Sequence, residues 1–126
     1  MSVKYTLVER YNPYKPGEPL KIYAQAVSAG ETNLKQLGKA ISAQSTLNQA
    51  DIIGVLYALT QQIAIELDAG RIVRLDDFGS FQLAISSGGA EGRKAFSKAL
   101  IRRSRIVFRP GPELRNMLKN LEYTRV

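Results

Sequence analysis

Between Asn48 and Gly70 the chain holds a stretch that reads as one long helix with too much apolar surface for a single contact face. Asn48 is a good N-cap, and Ala69-Gly70 supplies a residue able to take the left-handed C′ conformation that ends a helix. Between them stand Ile52, Ile53, Val55, Leu56, Ala58, Leu59, Ile63, Ala64, Ile65 and Leu67, a band wider than the stripe by which a surface helix meets one core. A second surface is needed to cover it. In a chain of 126 residues the economical cover is a second copy of the same helix, so the pattern points to a homodimer.

The flanking segments alternate. Val3 to Tyr11 places Val3, Tyr5, Leu7 and Glu9 on one face of a strand, and Leu20 to Val27 resumes a strand after three prolines and a glycine in residues 12–19. These two runs are expected to form a long-looped hairpin. Thr32 or Asn33 can cap a shorter helix through Leu34, Leu37, Ala40 and Ile41 to about Gln44. Beyond the long helix, Arg71–Leu75 reads as a strand and Asp76-Asp77-Phe78-Gly79 as a turn. Phe81, Leu83 and Ile85 mark the inward row of the next strand. Residues 86–92, with three glycines and no apolar anchor, are expected to be mobile, and Leu100–Arg109 is strand again. Pro112 sits where it suits the first turn of a closing helix through Leu114, Leu118 and Leu121. The order is ββ, αα, β, β, arm, β, α, an α+β chain of one main domain.

Charge is as unevenly placed as hydrophobicity. Residues 1–70 carry six basic and six acidic side chains; residues 71–126 carry twelve basic and five acidic. Seven of the twelve lie between Arg93 and Arg109, where there is no acid at all. Such a one-sided field suits a polyanion, nucleic acid before an anionic membrane. On the strand after the arm, alternation sets Arg103, Arg105 and Arg109 on one face with Val107, and Ile106 and Phe108 on the other. Side chains two apart on a strand stand about 6.6 Å from each other, a spacing that suits tracking of successive phosphates and carries no base code by itself. The competing reading is that these arginines pair with acids and keep an edge strand soluble.

Other chemistry is poorly supported. There is no cysteine and no histidine, which removes disulfides, thiolates and the commonest general base and metal ligand. Asp76 and Asp77 are the one adjacent acidic pair, and a charged turn accounts for them. No nucleophile, base and orienting group can be assembled, so an enzyme, a cofactor or a small-molecule substrate is not expected. Neither a signal-peptide-like run nor a stretch approaching a membrane span is read, and a cytoplasmic protein is expected. Gly79 is better explained by a tight strand connection than by a phosphate cradle. Tyr5, Tyr11, Tyr14 and Tyr23 read as packing of the N-terminal hairpin, whereas Phe96, among Arg93, Lys94 and Lys98, is a possible wedge for a base step.

Two clusters of residues are more specific. Leu47-Asn48-Gln49-Ala50-Asp51, the long helix, Val73 to Phe81 with its Phe-Gly-Ser-Phe turn, and the Phe108-Arg109-Pro110-Gly111-Pro112-Glu113-Leu114 run about 30 residues later together resemble the bacterial histone-like HU/IHF family. The resemblance covers roughly residues 32–121. It implies an intertwined dimer with a helical base, and two β-ribbon arms that embrace DNA through the minor groove and bend it. In the family the arm tip carries an Arg-Asn-Pro wedge, while here no proline lies between Pro19 and Pro110. Residues 1–31 resemble the extra N-terminal strands of longer HU-related proteins.

The expectation is therefore an HU/IHF-like domain over residues 32–126 with an arm at about 86–105, preceded by a strand extension over 1–31. It would be a homodimeric, non-enzymatic, sequence-tolerant binder of double-stranded DNA of the bacterial nucleoid. Arg74, Arg93, Lys94, Lys98, Arg102, Arg103, Arg105 and Arg109 would contact DNA. The rivals are a protein-interaction module, in which the hairpin adds to a partner's sheet and the arm docks, and an RNA binder, which the lack of interleaved aromatics on the basic strand disfavours.

Overall fold

In chain order the elements are β1 (Val3–Arg10), β2 (Lys21–Val27), α1 (Leu34–Ala43), α2 (Gln49–Asp68), β3 (Val73–Leu75), β4 (Gly79–Ser87), β5 (Ile101–Pro110), α3 (Pro112–Lys119) and β6 (Tyr123–Arg125). The computed structural model describes residues 1–126. Its contacts divide into two compact units, residues 1–33 with 117–126, and residues 34–116.

In the first unit β1 and β2 pair antiparallel, from Lys4 opposite Val27 to Arg10 opposite Lys21, as the alternation on either side of the proline-rich break requires. The break itself is ordered by local bonds. The Tyr14 N–H donates to Asn12 Oδ1 at 3.0 Å, and the Lys15 and Glu18 amides donate to the carbonyls of Asn12 and Lys15. The other edge of β1 takes up β6 in parallel, Val3 opposite Tyr123 and Tyr5 opposite Arg125. That strand is absent from the sequence reading. Three residues are too few for an alternation signal, and its partner lies more than a hundred positions away. The tyrosine expectation is also corrected. Tyr5 is half-buried, but Tyr11, Tyr14 and Tyr23, toward the loop end of the hairpin, are exposed.

The second unit joins a helical hairpin to an antiparallel sheet of order β3-β4-β5. The Asn48 side chain accepts from the Asp51 N–H at 3.0 Å, capping α2 as its residue type suggests. At the other end Gly70 has φ +81, and the amides of Gly70 and Arg71 donate to the Leu67 and Glu66 carbonyls. This is a Schellman closure. It draws Arg71 into the helix end, where its guanidinium also meets Glu66 at 3.0 Å, so β3 begins at Val73 and not at Arg71. The Asp76-Asp77 turn is present as expected, with Asp76 at φ +42 and the Phe78 N–H on the Leu75 carbonyl.

Very little of this chain is inside. Ile52 and Leu67 are its only buried large apolar side chains, whereas Val55 and Ile65 on α2 are 67% and 58% exposed. The inward row of β4 fares similarly: Phe81 is half-buried, but Leu83 and Ile85 are exposed, because α2 meets the sheet only lightly. The 20-residue α2 is long and apolar enough to cross a membrane by length and composition. That corrects the expectation of no such stretch. Gln61, Gln62 and Glu66 interrupt its later turns, and Gln62 donates to Glu66 at 2.9 Å.

Candidate nucleic-acid interface

The sheet of the second unit has two chemically opposite faces. Along β4–β5 the register sets Ser80 against Arg109, Gln82 against Val107, Ala84 against Arg105 and Ser86 against Arg103, and β3 adds Arg74 opposite Ser80. All of these side chains leave the same face. Arg74, Arg103, Arg105 and Arg109 thus share a surface whose remaining members are small or neutral. The four come from two strands that are not adjacent, so the face is a product of sheet order.

The opposite face anchors it. Phe108 packs at 4.9 Å from the Phe81 ring and 5.9 Å from that of Phe78, both tilted, so one aromatic cluster ties the start of β4 to the end of β5 at the base of the ribbon. Gly79 lies beneath Phe108: a Cβ there would stand 2.5 Å from the ring and 2.7 Å from the Arg109 carbonyl. Gly111 docks as closely on the turn, where a Cβ would run into the Asp77 carbonyl, and its N–H donates to the Phe78 carbonyl at 2.8 Å. The Glu113 N–H takes the Asp77 carbonyl at 3.2 Å. The Phe-Gly-Ser-Phe turn and the Phe-Arg-Pro-Gly run are therefore the two halves of one packed junction, from which α3 leaves.

None of the arginines on this face is neutralised. The ion pairs of the chain are Lys15–Glu18 and Arg71–Glu66, and no carboxylate comes within 4.0 Å of Arg74, Arg103, Arg105 or Arg109. Arg105 reaches only the Ser86 hydroxyl, at 3.5 Å. Within this chain, then, these arginines do not pair with acids. A recess at the base of the face is lined by Arg74, Arg109 and Arg115 together with Ser80, Gln82 and Asp76, whose carboxylate makes no ion pair with them. Arg115 joins through the first turns of α3, and only the fold of the junction could reveal it.

The remaining basic residues stand elsewhere. The register slips between Ser86 and Ser87, which leaves Arg102 as an extra residue on β5, off the row of Arg103, Arg105 and Arg109. Its guanidinium lies against the buried Gly88. Arg93 and Lys94 fall in turns of the connection between β4 and β5, and Lys98 in a single 3-10 turn, Lys98–Leu100, capped by the Ser97 hydroxyl. Phe96, 44% exposed, sits between them. β4 runs through Ser87, so the start of the segment expected to be loose is paired strand. No group of three or more acidic side chains stands together where it could hold a metal ion.

The same fold occurs in solved structures. That of a candidate bacterial DNA-binding protein from Bacteroides vulgatus matches with TM-score 0.69 at 13% identity, over 99% of this chain and 48% of the other. The Anabaena HU–DNA cocrystal structure matches with TM-score 0.51 at 21% identity, over 71% of this chain and 99% of the other. The chain thus spans about half the length of the Bacteroides protein. No curated protein is significantly similar in sequence. A helical hairpin, a three-stranded sheet and a bare arginine face on its ribbon define a protein of the HU-like class. The chain belongs to the HU-HIG family, described as an HU domain fused to wHTH, Ig, or Glycine-rich motif, whose model matches residues 1–125. The match includes the N-terminal strands, which the HU/IHF resemblance over residues 32–121 left out.

Proposed function

We propose that this chain binds double-stranded DNA through the arginine face of its ribbon, without catalysis and with little sequence preference. The observation that carries the reading is the row Arg74, Arg103, Arg105 and Arg109 on one sheet face with no carboxylate in ion-pair reach. Unpaired guanidiniums at strand spacing meet phosphates, and release of counterions supplies the affinity. The HU relative of the same fold was crystallised with DNA, which supports the choice of polyanion. Arg93, Lys94 and Lys98 extend the basic surface along the β4–β5 connection, and Arg102 contributes less than its neighbours because it stands off the row. In this reading the protein acts as a homodimer in the bacterial nucleoid, α2 covering α2, and bends its DNA. Phe96, the one large apolar side chain of residues 86–99, would be the wedge that unstacks a base step.

A gel-shift series with linear, nicked and four-way DNA and with RNA, at two salt concentrations, tests this. If a dimer makes about 6–10 phosphate contacts, affinity for duplex falls about 10³–10⁵-fold from 50 to 200 mM salt. A flat salt response, or preference for RNA duplex, contradicts it. A second reading rests on β2, whose outer edge is unpaired over seven exposed residues and could add to a partner's sheet. Retention of DNA by the full chain, lost on substitution of the ribbon arginines, separates the two.

A further inference from the structure

At the loop end of the N-terminal hairpin, Arg10 and Lys21 stand directly opposite one another across the β1–β2 pair. Like charges in that position work against strand pairing, and neither meets an acid. Glu18, the carboxylate bordering them, is taken by Lys15 at 3.6 Å. Around the two cations, Tyr11, Tyr14 and Tyr23 complete a recess of about 240 Å³ that Glu18 also borders. The three tyrosines are 53%, 92% and 47% exposed as whole residues. Tyr23 stands across from Val8 in the ladder, and Tyr11 and Tyr14 lie in the connection.

A cation pair without a counterion calls for an anion, and aromatic rings with open faces take flat π-systems. A nucleotide whose base is unstacked offers both, a phosphate for Arg10 and Lys21 and a ring for the tyrosines. In duplex DNA the base faces are already stacked and cannot do this. We propose that this recess is a second nucleic-acid site, selective for unpaired nucleotides, with single-stranded nucleic acid as its ligand. The aromatic platform that β5 lacks stands here, on β2 and the β1–β2 connection, and this assignment uses no residue of the ribbon face.

The full-length chain should be titrated with fluorescein-labelled oligothymidylate, oligouridylate and a duplex of equal length. Anisotropy and quenching of tyrosine emission are the two readouts. Tyr14→Ala and Tyr23→Ala should each weaken binding of the single strands by about tenfold or more, while Tyr23→Phe, which keeps the ring, should not. Arg10→Gln and Lys21→Gln should each lower the salt slope for single strands by up to about 0.7. Duplex affinity should be unchanged in all of them and should fall instead in Arg103→Ala/Arg105→Ala. Tighter binding of the uridylate assigns the site to RNA, and of the thymidylate to DNA; either supports the proposal. Unchanged single-strand affinity in Tyr14→Ala/Tyr23→Ala overturns it, and because Tyr14 is almost wholly in solvent its loss does not disturb packing. Polyglutamate binding as tightly as the oligonucleotides also overturns it, in favour of a plain anion site.

Discussion

Arg102 and Arg103 are neighbours in sequence and differ in what the fold makes of them. Arg103 pairs across from Ser86 on the open arginine face, whereas Arg102 is the unpaired residue at the register slip and leans on Gly88. Arg103→Ala should therefore lower the slope of log affinity against log salt for duplex DNA by about one, and Arg102→Ala by clearly less. Filter binding across a salt series reads the difference. Gly111 has a role of another kind. Any side chain there meets the Asp77 carbonyl and pushes the two halves of the junction apart, so Gly111→Ala should destabilise the chain by about 1–3 kcal/mol, seen as a lower Tm. Phe96 is tested by bending: in the wedge reading Phe96→Ala lengthens the end-to-end distance of a bound duplex by fluorescence transfer. Retained binding with an unchanged distance removes the wedge.

Among the elements, α2 carries the most unsatisfied surface. Its two buried side chains, Ile52 and Leu67, lie toward its ends, and between them Val55 and Leu59 are exposed along with Tyr57. Exposed apolar side chains at that density mark an interaction surface in a soluble protein. If a second α2 covers them, the wild-type chain sediments at micromolar concentration as a species of about twice 13.9 kDa, and Val55→Asp/Leu59→Asp as a monomer of lower Tm. A compact wild-type monomer contradicts the dimer. The β4–β5 ribbon differs from α2 in that its two faces divide the work. Phe81 and Phe108 hold it from one side while the arginines stand free on the other.

For the molecule as a whole, charge and burial run in parallel. The excess of cations lies in residues 71–126, and the structure leaves the arginines of its sheet without acids and much of its apolar surface without cover. Both are surfaces that partners would complete, a polyanion for one and a second copy for the other. Excess duplex DNA should then raise the Tm, more at low salt than at high, because a ligand that binds only the folded state stabilises it by mass action. A Tm indifferent to DNA at low salt speaks against the arginine face as a binding surface.

Local chemistry was legible in the chain by itself. Asn48 and Gly70 mark the ends of α2 because a cap and a left-handed C′ are chosen by side chains within a few residues. Alternation placed Arg103, Arg105 and Arg109 on one face of β5, since the period of two belongs to any strand. The Phe-Gly-Ser-Phe turn and the Phe-Arg-Pro-Gly run carried the family resemblance because backbone contacts as close as those of Gly79 and Gly111 tolerate few residues. Tertiary structure alone decided the rest. Arg74 and Arg115 join the arginine face through strand order and the junction with α3, a slip in register leaves Arg102 without a partner on β4, and β6 exists only because β1 offers it an edge. Arg10 and Lys21 are eleven positions apart in the chain and face to face in the hairpin. Pairing across a sheet depends on which strands meet and in what register, and that is set by the whole chain.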